Sequence, residues 1–221
     1  WRRPIATFQI PARPLGQAPD RVELLANEAR DRIRKGDVVW GARILGWALH
    51  YVQDLSEPFH AVELPTLEMV PWKALFVWPP TRAFDHLGSE TKRVVTNYHL
   101  AYEGYVRGAL ASGDSSPFRE CFERSGGSIL VDSPRELAIE VARRSVSRAR
   151  ETGRAIVELA GDGLKSPGIS VPEDPSRIDV EDLLKNPDRA DARKRVNAVT
   201  CESLRLATDA TIWLTRWTFA L

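Results

Sequence analysis

Apolar residues recur at helical spacing in one long stretch of this chain after another, and that pattern limits the possible folds more than any other feature. From Asp20 to Arg34 the stripe is Val22, Leu25, Ala29 and Ile33, with Asp20 as a candidate N-cap behind the prolines at 11, 14 and 19. Lys35-Gly36-Asp37 interrupts it. Val38 to Leu55 then places Val38, Ala42, Leu45, Leu49 and Val52 on one face, with Asp37 able to cap its start and Pro58 to end it. Further helices are predicted from about Leu87 to Gly108, Pro117 to Arg124, Ser133 to Leu159 and Asp188 to Phe219. The one at Ser133 opens with Ser-Pro-Arg-Glu, a capping signature. Gly161 to Pro175 reads as a turn-rich connector. No segment alternates with period two for long enough to predict a strand, and no internal repeat appears. The expected fold is all-α, a multi-helix bundle of five to seven helices in a single domain over residues 1–221.

Composition narrows the function classes. Lysine plus arginine total 31 against 30 acidic residues, a net charge of +1, so no global field draws the chain to polyanions. No apolar run approaches the roughly 18 residues a membrane span needs. Cys121 and Cys201 alone cannot form a disulfide scaffold or a cysteine zinc site, although one bridge between them is possible, and their redox state is not readable. The chain opens with Trp1-Arg2-Arg3-Pro4, without an initiator Met or a signal-peptide layout, which suggests a processed chain or one cut from something longer.

Three of the four histidines stand in a pattern that carries chemistry. His50 and Asp54, and His99 and Glu103, are each four apart on predicted helices, so each couple presents an imidazole and a carboxylate on one face. His60 follows Pro58, where the chain can fold back toward the same cavity. Imidazole and carboxylate are the ligands zinc accepts when cysteine is absent. A single such couple is ordinarily a surface ion pair, and the joint occurrence is what favours a metal. His86, beside Asp85, reads as a bystander. Gly46, one turn before His50, costs a helix interior about 1 kcal/mol relative to Ala, so a close-packed neighbour or ligand is expected there.

The run His50-Tyr-Val-Gln-Asp54-Leu-Ser-Glu-Pro58-Phe-His60-Ala, followed by Asn97-Tyr-His99-Leu-Ala-Tyr-Glu103-Gly-Tyr, resembles the core signature of the bacterial zinc-dependent phospholipases C and the related single-strand-specific zinc nucleases. The first three helices match in order and spacing. The stretch between His60 and His99 is longer than in the shortest members, and the C-terminal half matches only loosely. The resemblance implies an all-α fold with up to three zinc ions that hydrolyses phosphate esters, a metal-activated hydroxide attacking phosphorus in line. It implies that His50 and Asp54 serve a paired-zinc site, with Asp54 bridging, and that His60, His99 and Glu103 hold the remaining zinc. Family members also use an N-terminal tryptophan amine, two earlier histidines and an aspartate base. No histidine precedes His50 here, and Trp1 lies too close to this motif to be that tryptophan. The chain is therefore expected to lack the N-terminal ligand segment, to bind about one zinc and to turn over diesters slowly.

Two substrates are open within that resemblance. Leu64 to Pro80 is rich in apolar residues with only Glu68 and Lys73 charged, and Trp72, Leu75, Phe76 and Trp78 lie between two ligand motifs. Trp72, Phe76 and Trp78 are expected to meet a phospholipid substrate at a membrane surface, in a transient contact. A nuclease would need a basic groove. The arginines at 143, 144, 148, 150 and 154 are interleaved with Glu136, Glu140, Glu151 and Glu158 and read as a solvated helix face. A phospholipase C-like hydrolase is expected, secreted as the family is. A nuclease or nucleotidase of the same fold, or a non-catalytic zinc-binding helical interaction module, is the alternative, and no protein partner is expected.

Overall fold

A computed structural model describes residues 3–5, 8–10, 16–76, 80–123 and 129–220. Arg3–Ile5 (β1) and Phe8–Ile10 (β2) pair antiparallel, Arg3 opposite Ile10. Three-residue strands are too short for alternation to register, which is why none was expected. The rest is helical: α1 Ala18–Arg34, α2 Val38–Ser56, α3 Pro58–Ala61, α4 Ala83–Ala111, α5 Arg119–Glu123, α6 Pro134–Ala160, α7 Val180–Lys185 and α8 Ala190–Phe219. The all-α expectation holds. The described residues form eight α-helices rather than five to seven, the additions being α3 and α7, of 4 and 6 residues. Segments that short complete no amphipathic stripe.

The caps follow local chemistry only in part. The Ser133 hydroxyl accepts from the Glu136 amide at 3.2 Å, one half of a capping box at α6, and the Glu136 carboxylate accepts at 2.9 Å from the amide of Asp132, one residue before the N-cap. Asp20 does not cap α1. Gln17 holds that position, and Asp20 instead pairs with Arg135 of α6 at 2.9 Å. Asp37 does sit at the start of α2, without a side-chain cap bond.

Two apolar cores share the long helices. One joins α1, α2, the first half of α6 and the last half of α8, with Val22, Leu45, Val52, Leu137, Val141 and Leu214 at its centre. The other joins α4 to the far halves of α6 and α8 through Tyr98, Tyr105, Ile156, Leu159 and Val196. Because α8 is 30 residues long, about 45 Å, it spans both. The close approach expected at Gly46 is found one turn earlier: a Cβ at Gly46 would meet nothing within 4 Å, whereas one at Gly41 would lie 2.6 Å from Ile33 Cγ1. Gly41 is what lets α1 lie against α2. Cys121 and Cys201 form a disulfide that ties α5 to α8.

Candidate metal centre

The centre is built where a proline breaks a helix. Pro58 cannot continue α2, and the residue before a proline is pushed to extended backbone. Glu57 accordingly ends α2 at φ −87°, ψ 123°, and Pro58 starts α3, which carries His60. Across from this junction α4 supplies His99 and Glu103 from one face. Two neighbours anchor α4 there. The buried Asn97 amide donates to the Leu164 and Ile169 carbonyls at 3.0 and 2.9 Å while its oxygen accepts from the Val171 amide, and the Tyr98 hydroxyl donates to the Gly161 carbonyl at 2.8 Å. The connector after α6 is thereby pinned beside α4. Phe59 stacks on the His99 ring with centroids 5.2 Å apart, fixing its plane.

Four potential ligand atoms converge, one each from Glu57, His60, His99 and Glu103, all within 4.8 Å of one another. The two Nε2 atoms of His60 and His99 are 3.1 Å apart. His99 Nε2 lies 3.2 Å from Glu57 Oε1 and 3.2 Å from Glu103 Oε1. His60 Nε2 lies 3.8 Å from Glu57 Oε2 and 3.7 Å from Glu103 Oε1. Zinc–nitrogen and zinc–oxygen bonds of about 2.0 to 2.2 Å give a tetrahedron with edges of about 3.3 to 3.6 Å, so the set is already near the spacing the ion requires. Glu57 Oε1 is buried without a hydrogen bond of good geometry, and among the described residues no Lys or Arg pairs with Asp54, Glu57 or Glu103. Carboxylates that face two imidazole nitrogens, with no Lys or Arg beside them among the described residues, fit a divalent cation.

Burial works against a charged His99, but the Glu57 carboxylate and then that of Glu103 outweigh it and hold the imidazole above the ordinary histidine value. The side chains of the four ligands are between 23% and 34% exposed, so small molecules can reach them. Asp54 stands behind His60, its Oδ2 3.7 Å from His60 Nδ1 and 3.4 Å from His50 Nε2. The His50 side chain is 70% exposed, which places it at the rim and outside the four-atom cluster. His86 is exposed and outside the cluster too.

The structure thus brings three of the expected ligands together and adds Glu57. Its signal in the sequence was an acidic residue immediately before Pro58 and three before His60. In the apolar stretch Met69 and Val70 are buried, whereas Trp72 is 55% and Phe76 88% exposed, on turns packed against α4. Trp78 and Trp1 lie outside the described residues. Comparison with known proteins finds no matching family, curated protein or solved structure.

Proposed function

We propose that this chain is a zinc-dependent phosphoric ester hydrolase, phospholipase C-like in its substrate. The observation that carries the reading is the convergence of Glu57, His60, His99 and Glu103 within 4.8 Å, with Asp54 beside it. Bound zinc supplies Lewis acidity and brings the pKa of water down to about 7. The chain's own groups do the rest. His60, His99 and Glu103, with Glu57 beside them, would hold the ion, while Asp54 Oδ2, 3.7 Å from His60 Nδ1 and 3.4 Å from His50 Nε2 at the rim, would fix the orientation and tautomer of the His60 imidazole.

Phospholipid is favoured over nucleic acid by charge. On α6 Arg143 and Arg144 pair with Glu140, Arg148 with Glu202 and Arg154 with Glu68, which weighs against a free basic groove there. The exposed Trp72 and Phe76 offer apolar surface to a bilayer instead. The Cys121–Cys201 bridge suits an oxidising compartment, which supports an extracytoplasmic location.

A second reading rests on Glu57. Four protein ligands close a tetrahedron, as in structural zinc sites, whereas catalytic sites keep one position open. Hydrolysis of bis(p-nitrophenyl) phosphate and of dihexanoylphosphatidylcholine by the zinc-loaded chain separates the two. The hydrolase reading expects slow, zinc-dependent turnover, lowered about 100-fold by Asp54→Asn with zinc content retained. Absence of turnover from a chain that holds zinc and melts on its removal would establish the structural role.

A further inference from the structure

The outer face of α2 is apolar where a helix surface is ordinarily charged. Between Asp37 and Asp54 the helix carries one formal charge, Arg43, in a protein of which 28% of the residues are charged. Its inner side buries Leu45, Ala48 and Val52 in the first core. Its outer side leaves Val39 67%, Trp40 50% and Trp47 57% exposed, and the Arg43 guanidinium lies over the Trp40 ring, 5.0 Å from its centroid. A helix that is apolar all round is ordinarily covered on both sides. Gly46 sits in the middle of this exposed face. A glycine weakens a helix interior, so its presence needs a use. Of the six glycines in the described α-helices, Gly41, Gly104, Gly108 and Gly153 have one, since an added Cβ would meet a neighbouring side chain at 3.4 Å or closer. At Gly46 and Gly88 it would meet nothing within 4 Å. Gly88 stands among Asp85, Glu90 and Lys92 on an ordinary charged surface, whereas Gly46 stands between two exposed tryptophans.

We propose that the outer face of α2 is a homodimer interface, in which the same helix of a second copy crosses it antiparallel at Gly46. A missing side chain is of use against a solid neighbour: it lets two helix backbones approach, and a fluid lipid surface gains nothing from it. The face is also matched to itself. Gly46 is midway between Val38 and Asp54, so a two-fold axis there lays each half of the face on the other half of its copy. With one charge per copy, and the two Arg43 residues on opposite sides of the axis, the pairing meets no block of like charge, whereas a strongly charged partner finds nothing complementary. Val39, Trp40 and Trp47 alone offer on the order of 400 Å² per copy, and with Ala42, Arg43 and Gly46, all exposed, a symmetric pair reaches the roughly 1,000 Å² of a specific interface. The proposal rests on this face alone, independently of the hydrolase reading.

Sedimentation velocity of the full chain, from micromolar to submillimolar concentration, tests it. A reversible monomer–dimer equilibrium with a micromolar dissociation constant is expected, the strength of an interface at the small end of the specific class. Gly46→Leu puts a side chain at the crossing and should weaken the dimer at least about tenfold. Measured where the chain is monomeric, the same variant should not lower the melting temperature, because the position is open within the chain and leucine is the better helix former. Trp47→Lys, which turns a charge toward the partner in each copy, should leave monomer only. Trp72→Ser with Phe76→Ser, outside this face, should leave the dimer unchanged. A chain that stays monomeric throughout overturns the proposal, and Trp47-dependent attachment of that monomer to phosphatidylcholine vesicles would assign the face to a membrane. A dimer indifferent to Gly46→Leu and Trp47→Lys, or one broken by the Trp72 and Phe76 changes instead, overturns it too.

Discussion

Each ligand residue makes a separable claim. Replacing His60, His99 or Glu103 by Ala should remove the zinc and lower the melting temperature, because metal binding to a folded site is folding free energy. His86→Ala should change neither, since that side chain lies outside the cluster. Zinc content and thermal unfolding of the four variants decide the assignment, and three ligand variants that keep wild-type values of both would refute it. The metal-free chain carries a second signature. Despite burial, Glu57 and Glu103 raise the pKa of His99, so its protonated form stabilises the fold. That contribution is complete below the unfolded value of about 6.5 and is lost as pH rises through the elevated folded value. In the presence of EDTA, wild type should therefore lose more stability between pH 6 and pH 8 than His99→Gln does. Equal losses in the two proteins would mean that the carboxylates do not hold the proton.

At the scale of the element, the proline break decides which ligands are legible. His50 with Asp54 and His99 with Glu103 could be read from sequence because a spacing of four on a helix fixes a shared face. Glu57 could not, since its direction depends on the extended backbone before Pro58 and on where α4 lies across from it. The apolar stretch between α3 and α4 was ambiguous for a related reason: hydrophobicity alone does not say which side chains turn inward, and Met69 and Val70 do while Trp72 and Phe76 do not. Changing Trp72 and Phe76 together to Ser should weaken binding to phosphatidylcholine vesicles at least about tenfold, with hydrolysis of a short soluble diester unchanged. Trp40 and Trp47 on α2 are also exposed and serve as the control pair. Vesicle binding that falls only when Trp40 and Trp47 are replaced would move the membrane contact to α2.

Across the whole molecule, helix positions were legible to within a few residues because long amphipathic stripes bury themselves. The third helix, predicted from Leu87 to Gly108, is found from Ala83 to Ala111. The division into two cores was not legible, because it depends on how α6 and α8 cross the rest. Nor was the redox state of Cys121 and Cys201: one bridge was open to them across 80 positions, and the fold forms it. In the chain-entropy account a loop of that length gives about 4 kcal/mol, so reduction or Cys201→Ser should lower unfolding free energy by an amount of that order. A change well under 1 kcal/mol in denaturant unfolding would show that the bridge does not constrain the chain. The proposed function requires that Glu57, His60, His99 and Glu103, which converge within 4.8 Å, together hold a metal ion. Zinc per chain, determined by inductively coupled plasma mass spectrometry after dialysis against micromolar zinc and then metal-free buffer, tests it most directly. About one zinc is expected for wild type and about none for His99→Ala. No zinc retained by wild type, or the same content in both proteins, would contradict it.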